Sequence, residues 1–228
     1  MEPATMGVDI NPYGLEALWN RGDLVTQGTL GLLLIMSVIS WSVLIMKLLE
    51  QSWLFRQARV ARVFLDGSAS LADGADRLAA TSPFRRIALS GIGAVNQHHG
   101  AITGRIDLNA WITLSLQRAV TQVVTRDQSG VAVLASIAST APFVGLFGTV
   151  WGIYHALTAI GIAGQATIDK VAGPVGEALI MTAMGLAVAV PAVLGYNWLV
   201  SRNKRVAEAV RAFAIDLHAA LLSRGPGA

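Results

Sequence analysis

The chain has 228 residues and no cysteine, and 54% of its residues are hydrophobic whereas only 14% are charged. Its mean hydropathy is +0.55 and its isoelectric point is about 9.7. Soluble domains carry about 25% charged residues, so this composition indicates a membrane protein. Without cysteine there are no disulfides, thiolate metal sites or iron–sulfur clusters. The three lysines do not follow glycine, which excludes a P-loop ATPase.

The charged residues leave three long stretches uncharged. These stretches are residues 24–46, 128–168 and 178–201. Each is longer than the roughly 20 apolar residues that cross a bilayer. We therefore predict an all-α membrane protein with three transmembrane helices, at 24–46, 128–156 and 174–200. Trp19, Trp41 and Trp53 lie near the ends of the first span, where tryptophan anchors helices at the membrane interface.

The basic residues predict how the chain is oriented in the membrane. Residues 47–127 contain ten of the 17 lysines and arginines, and the tail after residue 200 contains five. Because basic loops stay in the cytoplasm, we expect 47–127 and the tail 201–228 to be cytoplasmic. The N-terminus 1–23 and the connection 157–173 are then on the outer side of the membrane. The first 20 residues carry three acids and no base, unlike a cleavable signal, so we expect nothing to be removed.

Most of the region between the first two spans has a helical pattern. Amphipathic runs predict helices at 51–65, 71–80 and 83–97, with a break at His98-His99-Gly100. Asp107 begins a further helix that we predict to run without interruption into the second span, to about His155. The third span has Thr167 as a candidate N-cap and continues past Pro174 and Pro191 into a charged tail. Two long helices should therefore extend from the membrane into a helical cytoplasmic region.

Small residues mark the faces on which the second and third spans should pack. Close spacing of small residues lets helix backbones approach in lipid. The predicted packing residues are Gly145, Gly148, Gly152, Ala183 and Gly185. Thr149 lies beside this face, and its hydroxyl has two possible roles, a bond to its own helix or exposure to a polar lumen.

Glu177 is the acid of greatest interest, because 24 uncharged residues follow it. If the helix begins at Pro174, its carboxylate stabilises the first turn. If the helix begins near Ile168, Glu177 lies inside it, where an ionised acid costs at least ~2.5 kcal/mol and usually faces a cavity that binds or relays protons. The sequence leaves both interpretations open.

Other polar groups give weaker signals. Arg202, Lys204 and Arg205 follow the third span, and they fit either contact with anionic lipid headgroups or plain orientation of the chain. No two of the four histidines have ligand spacing on one helix face, so we expect no bound metal. We also expect no cofactor and no enzymatic activity, because no catalytic serine, histidine and aspartate set can be identified.

Two segments closely resemble the ExbB/TolQ/MotA proton-channel family. They are Ser139-Thr-Ala-Pro-Phe-Val-Gly-Leu-Phe-Gly-Thr-Val-Trp-Gly-Ile153 and the third span, from Gly176-Glu-Ala-Leu179 to Pro191-Ala-Val-Leu-Gly-Tyr-Asn197. The dense similarity covers about 60 residues, and the three-span layout is similar throughout. Within the family the ExbB branch is the most similar. The sequence departs from the family pattern at Gly176, Met181 and Met184.

The resemblance implies a homopentameric channel of the bacterial inner membrane, so that the outer side is the periplasm. The channel would surround the membrane helices of an ExbD-type dimer, and proton flow would drive a TonB-type protein in siderophore and iron uptake. It also implies that Glu177, Thr149 and Thr182 line the pore, while the proton-carrying aspartate belongs to the ExbD-type partner. A TolQ-like subunit for envelope maintenance is the nearest alternative. A MotA-type stator would be expected to have four spans. From a different class, the alternative is a structural membrane scaffold in which Glu177 is only a helix cap.

Overall fold

The structure is a computed structural model that describes residues 22–67, 71–98, 107–163 and 168–224. Within these ranges there are six helices and no strand. The helices are α1 (Leu24–Gly67), α2 (Leu71–Arg77), α3 (Pro83–Gln97), α4 (Leu108–Asp127), α5 (Val131–Ala163) and α6 (Ile168–Arg224). Three stretches are long and apolar enough to cross a membrane: Leu24–Ala61, Leu108–Ile162 and Ala172–Ser223. The predicted all-α membrane fold with three spans is confirmed.

Helix α1 is longer than the sequence pattern predicted. The first span and the amphipathic run at 51–65 were expected as separate helices, but both belong to the one helix Leu24–Gly67. Neither glycine nor proline occurs between Gly31 and Gly67, so nothing in the backbone ends the helix near Lys47. The prediction of a separate helix at 51–65 is therefore wrong.

A proline begins helix α3, the helix that follows α2 in the chain. Helix α3 has the predicted bounds, Pro83–Gln97, with Ser82 extended before it and Pro83 in its first turn. Proline is favoured there because its missing N–H has no partner in the first turn of a helix. Helix α2 ends at Arg77, earlier than the predicted residue 80.

The predicted continuous helix from Asp107 to His155 is interrupted. Asp107 caps α4 as expected, its carboxylate accepting a hydrogen bond from the backbone N–H of Ala110 at 3.4 Å. The helix then ends at Asp127, and α5 begins at Val131. Gly130 has a φ of 83°, the left-handed conformation with which glycine commonly ends helices. The prediction of one uninterrupted helix is wrong for this reason.

Helix α6 runs from Ile168 to Arg224 with Pro174 and Pro191 inside it, as predicted. Pro142 lies inside α5 in the same way. Three other predictions concern residues outside the described ranges: Thr167 as an N-cap, Trp19 as an anchor and the break at His99-Gly100. The same applies to the N-terminus up to residue 21.

The contacts divide the chain into two units. The first, which we call the apolar unit, comprises the described residues up to Val43 together with Val133–Tyr196. Its core is a cluster of buried side chains from α1, α5 and α6: Leu33, Met36, Ile137, Ala141, Val188, Ala189 and Ala192. Many of its other large side chains are exposed, including Phe143 and Leu194. Apolar surface of this kind indicates contact with lipid or with other membrane helices.

The second unit, the charged unit, comprises Leu44–Ala132 and the chain from Asn197 onwards. It has a larger core, to which α1, α2, α3, α4 and α6 all contribute. Phe84 packs edge-on against Phe213 with ring centroids 5.3 Å apart, and Ile87, Ile112 and Leu217 are fully buried around them. This unit therefore has the buried core of an ordinary helical domain.

Candidate functional site

Glycines bring the backbones of α5 and α6 into contact. A Cβ atom placed on Gly145 would lie 2.6 Å from the main-chain oxygen of Met181 and 3.0 Å from the Cα of Gly185. A Cβ atom placed on Gly185 would lie 2.7 Å from the main-chain oxygen of Ala141. Real Cβ atoms do not approach backbone this closely, so only glycine fits at these two positions. We call this contact the glycine seam.

The seam continues along α5 at Gly148 and Gly152. A Cβ atom on Gly148 would meet the Met181 side chain at 2.6 Å and Thr29 of α1 at 3.2 Å. One on Gly152 would meet the Cβ of Ala178 at 3.1 Å. Four of the five predicted packing residues therefore lie on the seam: Gly145, Gly148, Gly152 and Gly185. Ala183 is exposed, so its packing role stays a prediction that concerns contacts outside the chain.

The hydroxyl of Thr149 lies in the seam and joins the two helices. Its oxygen lies 2.5 Å from the hydroxyl oxygen of Thr182 and 3.0 Å from the main-chain oxygen of Ala178. It also lies 3.2 Å from the main-chain oxygen of Gly145, one turn back on its own helix. Thr149 is buried. Of the two roles considered for this hydroxyl, the bond to its own helix is present, and a bond across to α6 accompanies it.

Glu177 lies inside a helix and not at a helix terminus. Helix α6 begins at Ile168, so Glu177 lies more than two turns inside it. Its side chain is half-buried, and among the described residues it has no hydrogen-bond or ion-pair partner. Glu177 immediately precedes Ala178, whose carbonyl accepts from Thr149, but no hydrogen bond within the chain joins Glu177 to either threonine. The structure therefore brings the two threonines together and leaves the acid separate.

A second polar group at the start of α1 was not found by sequence reasoning. The Asp23 carboxylate accepts a hydrogen bond from the indole N–H of Trp151 at 2.6 Å and from the backbone N–H of Thr26 at 2.9 Å. The Nδ1 atom of His155 lies 3.9 Å from the same carboxylate. Asp23 thus caps α1 and ties it to α5. Its position just before a hydrophobic run was the one available signal, and it predicts the cap but not the bond to Trp151.

The electrostatics of Asp23 follow from these contacts. Burial raises the pKa of the Asp23 carboxyl, but the hydrogen bonds from Trp151 and Thr26, with the nearby His155, together outweigh burial. The pKa therefore lies below its ordinary value of 3.8. Trp151 also contacts the rings of Phe147, Tyr154 and His155, so the carboxylate lies at the edge of an aromatic cluster.

The basic residues after the third span lie in the charged unit. The Arg202 guanidinium lies 4.6 Å from the centroid of the Trp198 ring and 5.1 Å from that of Phe55, and Arg205 lies 6.0 Å from Phe55. Cation–π attraction therefore holds Arg202 in place. Lys204 and Arg205 are exposed. Among the described residues, no three histidine, aspartate or glutamate side chains converge as metal ligands.

The known proteins that are similar to this chain belong to one family. The sequence profile of the MotA/TolQ/ExbB proton channel family matches residues 80–212. The chain is 37% identical over 219 residues to the biopolymer transport protein ExbB of Neisseria meningitidis, covering 92% of this chain and 98% of the relative. It is 41% identical over 195 residues to the ExbB protein of Xanthomonas campestris, covering 82% and 77%.

A Tol-Pal system protein, TolQ of Haemophilus influenzae, is 35% identical over 192 residues, covering 80% of this chain and 82% of the relative. The family profile spans more than half of the chain, including the glycine seam, Thr149 and Glu177. The chain therefore belongs to the MotA/TolQ/ExbB proton channel family, whose members are channel and transport subunits and not enzymes.

Proposed function

We propose that this chain is an ExbB-like motor subunit of the bacterial inner membrane, with its N-terminus in the periplasm and its C-terminus in the cytoplasm. Together with an ExbD-type partner it uses the proton motive force to energise TonB-dependent transport across the outer membrane. The proposal is supported by the similarity to biopolymer transport proteins over most of the chain. A proton moving down the membrane potential releases ~2.3 kcal/mol per 100 mV, which is the energy available for this work.

Glu177 is the proposed proton-binding residue of this chain. The observation that carries the proposal is its position more than two turns inside α6, half-buried and without a partner among the described residues. A carboxylate at such a position costs at least ~2.5 kcal/mol in lipid, so it is retained where it faces a cavity or a partner. Thr149 and Thr182 contribute hydroxyls that can donate or accept hydrogen bonds beside the same pathway.

The proposed assembly is a homopentamer enclosing an ExbD-type dimer. The apolar unit exposes many large apolar side chains, which lipid or neighbouring subunits must cover. Ala183 is exposed on α6 and offers a small-residue surface for a neighbouring helix. We propose that α5 and α6 of each subunit line the pore and that the ExbD-type partner supplies the proton-carrying aspartate.

Arg202, Lys204 and Arg205 are proposed to contact anionic lipid headgroups. Each basic residue near an anionic surface contributes about 1 kcal/mol of attraction. The contact of Arg202 with the Trp198 ring supports this role, because tryptophan is enriched at membrane interfaces. Plain orientation of the chain by its positive charges is the alternative, and unchanged lipid retention in a triple glutamine variant would favour it.

A TolQ-like role is the second candidate, because a TolQ protein matches over most of both chains. Deletion of the gene separates the two. An ExbB-like subunit predicts that the deletion strain fails to grow when a ferric siderophore is the iron source and resists detergent normally. Detergent sensitivity with normal iron uptake would favour the TolQ-like role. If both phenotypes are absent, the energising role is contradicted and a structural scaffold is favoured.

A further inference from the structure

The charged unit contains a buried polar cluster that the proposed function does not use. It is formed by Lys47 and Gln51 of α1, Asp127 at the end of α4 and Asn203 of α6. Their exposed fractions are 6%, 0%, 5% and 8%, in that order. Four polar side chains, two of them ionisable, are thus more than nine-tenths buried together. Buried charged groups are rare unless they are paired.

The hydrogen bonds of the cluster leave the Asp127 carboxyl poorly satisfied. The Lys47 ammonium donates to the main-chain oxygen of Asp127 at 3.1 Å and to Oε2 of Glu50 at 2.8 Å. The side-chain amides of Gln51 and Asn203 bond to one another. In the opposite orientation of the Asn203 amide, its nitrogen lies 3.2 Å from Oδ2 of Asp127 and 3.1 Å from the main-chain oxygen of Leu199. The Gln51 amide must then turn as well, so that its oxygen faces the Asn203 nitrogen. The other carboxyl oxygen, Oδ1, is buried without a partner among the described residues.

A carboxyl group in this position favours its neutral form. Burying an ionised carboxylate with an unpaired oxygen is so costly that the group normally takes up a proton instead. Asp127 also ends α4, where the negative end of the helix dipole repels a negative charge. Burial raises the pKa of Asp127 above its ordinary value of 3.8; Lys47 partly opposes this increase and Glu50 adds to it.

Asp127 also borders a cleft in the surface of the charged unit. The volume of this cleft is about 430 Å³. The other charged residues of this cleft are Glu50 of α1, Arg86 of α3 and Arg126 of α4. Helix α6 contributes the uncharged Asn203 beside Asp127. The cleft brings solvent to the part of the charged unit in which Asp127 lies.

We propose that Asp127 is a second proton-binding site, and that its charge controls the packing of the 128–130 turn between α4 and α5. The carboxylate takes a proton from water in the cleft and returns it there. When Asp127 is neutral, Lys47 is free to hold the main-chain oxygen at the end of α4 and Glu50. When Asp127 is charged, Lys47 must also compensate the carboxylate, and the end of α4 is held less firmly. The site does not depend on the proposed role of Glu177.

The sign of the pH effect follows from the raised pKa. Since folded Asp127 binds its proton more tightly than the unfolded chain, its contribution to stability is fully present below pH 3.8. That contribution is lost as the pH rises through the pKa of the folded protein. Opening of the 128–130 turn should therefore increase over the same pH range.

The test is a carboxyl titration of the full chain in lipid nanodiscs, by ¹³C NMR with labelled aspartate. Asp127→Asn identifies the signal by its disappearance. We expect the Asp127 midpoint above 3.8. We also expect the protection factors of the 128–130 amides, from which the intrinsic pH dependence of exchange is removed, to fall as the pH rises across that midpoint. This dependence should be absent in Asp127→Asn and unchanged in Asp76→Asn, a control at an exposed acid of the same unit.

Two further variants move the midpoint in opposite directions. Lys47→Met removes an attracting charge and should raise it, whereas Glu50→Gln removes a repelling charge and should lower it. If Asp127→Asn does not fold, the Asp127 signal is identified as the one that these two variants shift in opposite directions. Glu177→Gln should leave the Asp127 titration unchanged, so failure of the proposed pore role would not affect this result. A midpoint at or below 3.8, or shifts of the wrong sign in both variants, would overturn the proposal.

Discussion

The hydroxyl oxygens of Thr149 and Thr182 lie 2.5 Å apart across the contact between α5 and α6. Thr149 also lies within hydrogen-bond distance of two main-chain oxygens, those of Gly145 and Ala178. A hydroxyl has only one hydrogen, and a carbonyl oxygen can only accept. Either hydroxyl could donate to the other. Thr149 can keep a bond to one of the two carbonyls only if it donates there and accepts from Thr182. In that arrangement, the hydrogen between the two hydroxyl oxygens comes from Thr182 of α6.

The pair predicts a measurable coupling between the two threonines. Thr149→Val and Thr182→Val each remove one hydroxyl at nearly constant volume, and each should lower the free energy of unfolding. Hydrogen bonds between membrane helices average ~0.6 kcal/mol and reach ~1.7 kcal/mol. We expect a coupling energy within that range from a double-mutant cycle of unfolding in detergent. If the two substitutions have additive effects on the free energy of unfolding, the bond is contradicted. Thr149→Ser keeps the hydroxyl and serves as the control.

The glycine seam predicts an order among alanine substitutions. Gly145→Ala should cost about 1–3 kcal/mol of stability, because its new Cβ meets the backbone of Met181 and Gly185. Gly148→Ala should cost less, because the nearest atom there is the terminal methyl group of Met181, which can move. Gly161→Ala on the same helix meets nothing within 4 Å and is the matched control. Thermal unfolding in detergent measures the order, and equal effects of Gly145→Ala and Gly161→Ala would refute the close backbone contact.

The contact of Asp23 with Trp151 predicts a dependence on acid pH. The pKa of Asp23 is lowered in the folded state, so its stabilising contribution is present above pH 3.8. It is lost as the pH falls from 3.8 through the lower, folded pKa. The stability difference between the wild type and Asp23→Asn should therefore shrink in that range, as measured by thermal unfolding. Trp151→Phe removes one of the bonds and should weaken the pH dependence; an unchanged dependence would contradict the account.

The proposed orientation predicts the compartment of each loop. A reporter enzyme fused at residue 75 or at residue 228 should lie in the cytoplasm, and one fused at residue 10 should lie in the periplasm. The reason is that basic residues concentrate in 47–127 and after 200. Cells expressing each fusion from the same promoter provide the comparison. Periplasmic activity at residue 75 would invert the topology.

Much of this fold follows from local sequence patterns. Uncharged stretches identify the spans, Pro83 marks the start of α3, and glycine spacing identifies the α5 face that contacts α6. These features depend on residues close together in the chain.

Gly130 shows the limit of this reasoning. Glycine is tolerated inside membrane helices, so its identity alone does not distinguish a helix end from a helix interior. Its φ of 83° makes that distinction.

The candidate site was less predictable, because its contacts are distant in sequence. Proline is favoured in the first turn of a helix and also tolerated inside membrane helices, so Pro174 left Glu177 as either a cap or an interior residue. The start of α6 at Ile168 decides this question. Asp23 and Trp151 are separated by 128 residues, and no local pattern connects them. Thr149 and Thr182 were both candidate site residues. Their separation of 33 residues in the chain did not predict the hydrogen bond between them.

The most direct test of the proposed role is proton flux through reconstituted vesicles that contain this chain and its ExbD-type partner. Glu177→Gln keeps the size and hydrogen bonding of the side chain but cannot ionise, so it should abolish partner-dependent flux while assembly with the partner is retained. Glu177→Asp should keep part of the flux. Glu208→Gln, which removes an exposed acid from the same helix, should match the wild type. Wild-type flux in a normally assembled Glu177→Gln complex would contradict the proposed role of Glu177.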